Sequence, residues 1–340
     1  MRAKGIAYDT GLLYRRAISR ERLDPAVVKR ELAIIRDDLH CNAVHVIGGD
    51  PDRLELAAGY AAELGLEVWF SPYPLERTPD EILALFIDCA ERAERLRRTG
   101  AEVVFVTGVE LTIMNQGFVP GDTLEQRLAR LLSEPGRRER LTELGAHFNG
   151  FLASAAARVR EHFAGKITYA SIPFEQVDWT IFDIISVELI RNAKVASHYR
   201  DGVRSLVAGG KPVAITGVGA ATYQGAGDAG ARAMEILEYD ELTGAPVRLN
   251  GDYARDEPGQ AASLTEVLEI FNSEGVDGTF VYLFALENLP HRPGGDPRDD
   301  LDLASPAIVK TLEDHHGDTY PDMAWEPKAA FAAVAGCYAS

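Results

Sequence analysis

The sequence predicts a single (β/α)8 TIM barrel, an α/β fold with extended loops after strands 4 and 7. Two observations carry this expectation. Eight short apolar runs alternate with longer helical patterns, and several of the runs are rich in Val, Ile and aromatic residues, as strands buried on both faces are. Eight such strands with intervening helices read as one barrel over residues 1–340 rather than as two domains.

The eight runs are Lys4–Asp9, Asn42–Gly48, Glu67–Tyr73, Glu102–Leu111, Lys166–Pro173, Asp183–Leu189, Pro212–Gly219 and Gly278–Glu287. Helix starts punctuate them. Asp24 precedes Pro25, an N-cap followed by proline at the first helical position, and opens Pro25–Leu39. Thr78 with Glu81 reads as a capping box for Pro79–Arg98, and Ser263 with Glu266 reads as another for Ser263–Ser273. Two connections are long. Residues 115–163 after strand 4 hold about two helices, broken near Ser133-Glu134-Pro135-Gly136; residues 220–263 after strand 7 are Gly-rich and then charged. Both follow the C-terminal ends of strands, where barrel enzymes build their sites, and read as lid or wall elements. The tail from Trp325-Glu326-Pro327 begins a last helix expected to close the barrel against strand 1.

Composition narrows the partners. With 35 Lys and Arg against 52 Asp and Glu the net charge is −17, which disfavours nucleic acid and an anionic membrane surface. No run approaches the ~18 apolar residues of a membrane span, and no signal-peptide core opens the chain, so a cytoplasmic location is expected. Cys41, Cys89 and Cys337 lie far apart and fit buried thiols in a reducing compartment. No Cys/His spacing marks a metal, and His315-His316 reads as solvated loop. Neither a GxGxxG after the first strand nor a P-loop occurs, so no cofactor is expected. The expected partner is a small-molecule substrate; the oligomeric state is open.

Polar residues at the C-terminal strand ends face the site in such a barrel. They are Asp9, Asp50, Glu110, Glu188 and Glu287, with Glu175 and Asp178 just beyond strand 5. Glu110 ends an otherwise apolar strand, where a charge is rarely left without a partner or a task. It is the expected general acid/base, with Glu188 or His45 assisting. His45 alternates with Ala43 and Ile47 and so points into the barrel. Tyr8, Asp9, Tyr73, Trp179, Tyr199, Tyr223, Tyr282 and Glu287 are the expected substrate-binding groups. Acids and aromatics with few cations suit a neutral polyhydroxylated or cationic ligand better than a phosphorylated one.

The strand order, Glu110 at the end of strand 4, Asn42-Ala43-Val44-His45-Val46, Val177–Ile184 running into strand 6, Lys211–Gly219 on strand 7 and the closing Trp325-Glu326-Pro327-Lys328 together resemble the retaining glycoside hydrolases built on (β/α)8 barrels. The chain also resembles bacterial barrels labelled abortive-infection proteins, a label without chemistry. The resemblance implies an acid/base ending strand 4, matched by Glu110, and a nucleophilic carboxylate ending strand 7. Thr216-Gly217-Val218-Gly219 puts Gly217 at that second position, Val109 stands where Asn is usual, and His45 replaces the usual strand-2 arginine. Glycine cannot form a glycosyl ester. The expectation is a repurposed, non-retaining enzyme that uses acid/base chemistry for cyclisation, isomerisation, elimination or addition on a small neutral or polyhydroxylated metabolite. An atypical or inverting glycosidase and a non-catalytic glycan- or metabolite-binding pseudoenzyme are the alternatives.

Overall fold

The computed structural model describes residues 1–339. Eight parallel strands close into one barrel: β1 (Ala3–Asp9), β2 (Ala43–Gly48), β3 (Glu67–Pro72), β4 (Val103–Val109), β5 (Lys166–Ser171), β6 (Ile185–Glu188), β7 (Val213–Val218) and β8 (Gly278–Val281). Closure is explicit at β1, which pairs Ala3 with Gly278 of β8 and Gly5 with Ala43 of β2. Each expected apolar run overlaps one of these strands, and β1 begins one residue before its run.

Strand alternation sorts the side chains. On β1, Ile6 and Tyr8 join the layer between strands and helices, whereas Ala3, Ala7 and Asp9 alternate with them toward the interior. The interior is filled rather than hollow. The Trp69 and Phe280 rings lie 4.7 Å apart inside it, and a Cβ on Gly5 would come within 2.5 Å of the Phe280 ring. That packed plug confines any reaction to the barrel mouth.

The helices are α1 (Pro25–Asp37), α2 (Pro51–Glu63), α3 (Pro79–Arg98), α4 (Leu124–Leu132), α5 (Arg137–His162), α6 (Tyr199–Val207), α7 (Glu257–Glu274) and α8 (Ala329–Ala339). Asp24 caps α1 through the Ala26 amide, and Thr78 and Glu81 form the expected capping box of α3. The start expected at Ser263 is corrected. Helix α7 begins six residues earlier, because Asp256 accepts from the Gly259 amide and Pro258 sits in the first turn, which leaves Ser263 in the helix interior.

After β4 the chain makes the short turn Leu111–Met114, then α4 and α5, broken at Ser133–Gly136. Arg127 of α4 is fully buried; its Nε donates to the Ile113 carbonyl at 2.6 Å and its other nitrogens meet Glu76 beyond β3. After β7 the chain forms short helical turns and a hairpin, Leu237–Tyr239 with Pro246–Leu249. A smaller hairpin, Leu13–Tyr14 with Ala17–Ile18, follows β1.

The tail seals the barrel. The Tyr338 hydroxyl donates to the Gly5 carbonyl of β1 at 2.9 Å, and the buried Lys328 ammonium meets Asp302 and Thr222, both at 2.8 Å. Cys41 and Cys89 are buried free thiols, and Cys337 is partly buried. Among the described residues no helix is long and apolar enough to cross a membrane, and no group of His, Cys, Asp and Glu has a metal-holding arrangement.

Candidate active site

Glu110 is presented by a distorted strand end. The β4–β5 register shifts between Val106 and Val109, Gly108 adopts φ +90°, and Glu110 itself is left-handed at φ +46°. A non-glycine residue there costs about 1–2 kcal/mol. The Glu110 amide still pairs with the Ala170 carbonyl at 3.0 Å, so the turn is anchored while the side chain leaves the strand. Burial pushes the Glu110 carboxyl up to about 8, and the negative charges of Glu188 and Glu175 add to the rise.

Glu175, from the loop after β5, holds the segment behind Glu110 in place. Its carboxylate is fully buried and accepts from the Thr112 hydroxyl (2.7 Å), the Tyr169 hydroxyl (2.8 Å), the Ser171 hydroxyl (3.0 Å) and the Ile172 amide (3.1 Å). Burial raises its pKa, and these four donors oppose the rise by favouring the ionised form.

Glu188 ends β6, directly opposite Gly217 in the β6–β7 register, with an irregularity just before it. A Cβ placed on Gly217 would lie 1.5 Å from Glu188 Oε2 and 2.6 Å from its Cδ. The Glu188 carboxyl therefore occupies the space that a residue-217 side chain would enter. Its Oε1 is buried without a hydrogen-bond partner. Burial pushes Glu188 up to about 7; the Thr216 hydroxyl opposes that and the Glu175 charge adds to it.

Two phenols stand at the same place. Tyr73, just past β3, and Tyr282, just past β8, both have raised pKa values, first from burial and then from the charges of Glu110 and Glu188. The Tyr282–Leu283 peptide is cis. Tyr282 also feels Asp9. Asp9 ends β1 facing inward; its Oδ1 accepts from the Gly11 amide at 2.8 Å, its Oδ2 has no hydrogen-bond partner, and burial raises its pKa. Glu287 reaches the Arg20 Nε at 2.8 Å with its side chain 39% exposed, and burial raises it to about 7 against the pull of Arg20.

His45 points into the barrel as expected. It lies in the interior layer, its ring 5.6 Å from that of Phe280 and its Nδ1 3.3 Å from the Thr216 carbonyl. Burial pushes it down to about 4, so it is a neutral imidazole that braces the strand carrying Gly217.

Four expected binding groups lie away from this cluster. Tyr8 alternates with Asp9 and so faces the helices; its hydroxyl donates to Glu31 at 2.5 Å and accepts from Arg20 at 3.0 Å. Tyr199 packs on Phe271 of α7 and donates to the Leu189 carbonyl at 2.7 Å, behind β6. Trp179 lies on the short turn leading back down to β6, where its carbonyl accepts from Lys211 just before β7, at the opposite end of the barrel. Tyr223 packs against Tyr253 at 5.1 Å on the rim and bridges to Arg255. Tyrosine and tryptophan supply core area as readily as binding area, and composition cannot separate the two uses. The bracing role of Glu175 was missed; its place three residues after Ile172, at a strand end, was the available signal.

No protein-family model and no curated protein matches the chain. Solved structures do. A GH113 beta-1,4-mannanase aligns over 100% of both chains with a TM-score of 0.59 and 17% identity. The GH113 beta-mannanase AaManA from Alicyclobacillus acidocaldarius covers 99% of this chain and 97% of its own, with a TM-score of 0.58 and 16% identity. A Parabacteroides merdae beta-glucuronidase covers 99% of this chain and 37% of its own, at 0.60 and 12%. By fold the protein is a glycoside-hydrolase-like (β/α)8 barrel. At these identities the likeness extends to the fold, and the chemistry rests on the residues at the mouth.

Proposed function

We propose that the protein is a cofactor-independent acid/base enzyme acting on a small neutral or polyhydroxylated metabolite, with Glu110 as general acid and Glu188 as its ionised partner. One observation carries the reading: Glu188 fills the space beside Gly217, so the mouth keeps two carboxyl groups although strand 7 supplies none. The two share a half-buried cluster with Tyr73 and Tyr282, where burial pushes Glu188 up to about 7, and burial with the Glu188 and Glu175 charges pushes Glu110 up to about 8. At neutral pH such a pair holds a proton to give and a base to receive one, which is the requirement for general acid/base catalysis. Tyr73 and Tyr282 supply apolar faces for a ring and hydroxyls for its substituents.

The same relocation favours a second reading, an atypical glycosidase in which Glu188 acts as the second carboxylate in place of a strand-7 residue. Turnover of an activated aryl-glycoside panel and of small polyhydroxylated metabolites by wild type, Glu110→Gln and Glu188→Gln tests both. Hydrolysis lost in both variants selects the glycosidase. Conversion of a non-glycosidic compound, with a bell-shaped pH profile whose limbs fall near 7 and 8 and with loss in both variants, selects the first reading. Turnover unchanged within a few-fold by either substitution overturns both.

A further inference from the structure

The rim above the carboxylates is stitched along more than half of its circumference. Arg15, on the hairpin after β1, forms an ion pair with Glu125 of α4, in the insertion after β4. The same arginine lies 4.7 Å from the Tyr239 ring centroid in the hairpin after β7, and the Tyr14 and Tyr239 rings meet edge-on at 6.4 Å. The tip of that hairpin approaches so closely that a Cβ on Gly244, at φ +70°, would lie 1.3 Å from the Arg15 carbonyl oxygen. The segment after β8 joins in: the Asn288 amide donates to the Ser19 carbonyl at 3.1 Å and Arg298 Nε to the Leu249 carbonyl at 2.8 Å. The short segments after β2 and β3 are tied to their neighbours by Arg53, which donates to the Thr10 carbonyl at 3.1 Å, and by Arg127 on Glu76.

Contacts thus run without a break from the segment after β7, through β8 and β1, to the insertion after β4. The contacts continue to the segment after β6, where the Ala193 amide donates to the Asp228 carbonyl at 3.1 Å, and to the loop after β5, where Asn149 Nδ2 of α5 donates to the Gln176 carbonyl at 3.0 Å; the junction between β5 and β6 is different. There residues 172–184 turn straight back to the next strand and raise no insertion. A polymer lying across a barrel mouth needs two open sides, one to enter and one to leave.

We propose that the site is a one-sided pocket, open only at the junction between β5 and β6, that takes a single small molecule or the terminal unit of a chain and excludes the interior of a polymer. The proposal rests on the Glu110–Glu188 cluster being the reactive centre, and it narrows the substrate to a class of size.

Access is measured apart from catalysis. In a Cys337→Ser background, with Cys41 and Cys89 buried, a thiol is introduced by Glu110→Cys or, should that variant fail to fold, by Tyr73→Cys. Each is labelled with N-ethylmaleimide and with a dextran carrying maleimide at internal positions; Leu242→Cys, at an 82% exposed position, calibrates both reagents. The expected result is reaction with N-ethylmaleimide and, relative to Leu242→Cys, labelling by the dextran at least tenfold slower. Equal relative rates mean an open groove and overturn the proposal. A thiol silent to both reagents means no open side and overturns it equally. The labelling reads access alone, so failure of the acid/base reading appears only in the turnover panel.

Discussion

Replacing Glu110 by glutamine is expected to stabilise the folded protein at alkaline pH and to change little at acid pH. The native carboxyl titrates near 8, raised from an ordinary value of 4.5 by burial and by Glu188 and Glu175. Below pH 4.5 the group is protonated in both the native and the unfolded chain, and the variant gains nothing. Between pH 4.5 and 8 the unfolded chain releases the proton while the native chain keeps it. The wild type therefore loses about 1.4 kcal/mol of stability per pH unit, toward a ceiling of about 5 kcal/mol at pH 8. An unfolding entropy of about 2.1 cal/mol/K per residue over 340 residues converts 1 kcal/mol to about 1.4 °C, so the variant is expected to melt up to about 7 °C higher at pH 8.5. Thermal melts of both proteins at pH 4.5, 6, 7 and 8.5, followed by circular dichroism or calorimetry, read the difference. A gap that does not change with pH means that Glu110 titrates in the native protein as it does in the unfolded chain, and a variant less stable than wild type at pH 8.5 means that a partner holds it ionised; either result defeats the acid role.

Other substitutions probe the surrounding structure. Gly217→Ala places a methyl group 1.5 Å from the present position of Glu188 Oε2; the carboxyl must swing away, so turnover is expected to fall at least ~100-fold while stability drops by no more than about 1–3 kcal/mol, read by kinetics and melting on the same preparation. Arg20→Ala removes the buried partner of Glu31, whose side chain is 2% exposed; a loss of about 3–5 kcal/mol is expected, seen as a lower denaturant midpoint, and an unchanged midpoint would show that the pair contributes nothing. Glu175→Gln removes a charge that raises Glu110 and weakens four hydrogen bonds; a loss of about 1–3 kcal/mol is expected, with a lower Glu110 pKa in a carbon-13 carboxyl titration.

The placement of Glu188 shows where the reading of the chain stopped. Gly217 in Thr216-Gly217-Val218-Gly219 signals the absence of a strand-7 carboxylate, and Glu188 is visible as an acid ending strand 6. That one fills the space beside the other depends on the β6–β7 register and on the irregularity before Glu188. Strand pairing is a contact between residues about 30 positions apart, and local pattern carries no information about it. The aromatic residues divide similarly. Tyr8 and Asp9 are neighbours in the chain, yet period-two alternation sends one to the Glu31–Arg20 network and the other to the mouth.

Local chemistry determined the element order, the eight strands, the caps of α1 and α3, the break before α5 and the acid that ends β4. Apolar period, capping residues and Pro/Gly signals act over a few residues and are readable there. Tertiary structure alone decided which acids meet, which tyrosines line the mouth and which rim segments join. Those outcomes depend on barrel closure and strand register, which bring Arg15 to Glu125 and Glu188 to Gly217 across stretches of chain that share no local pattern.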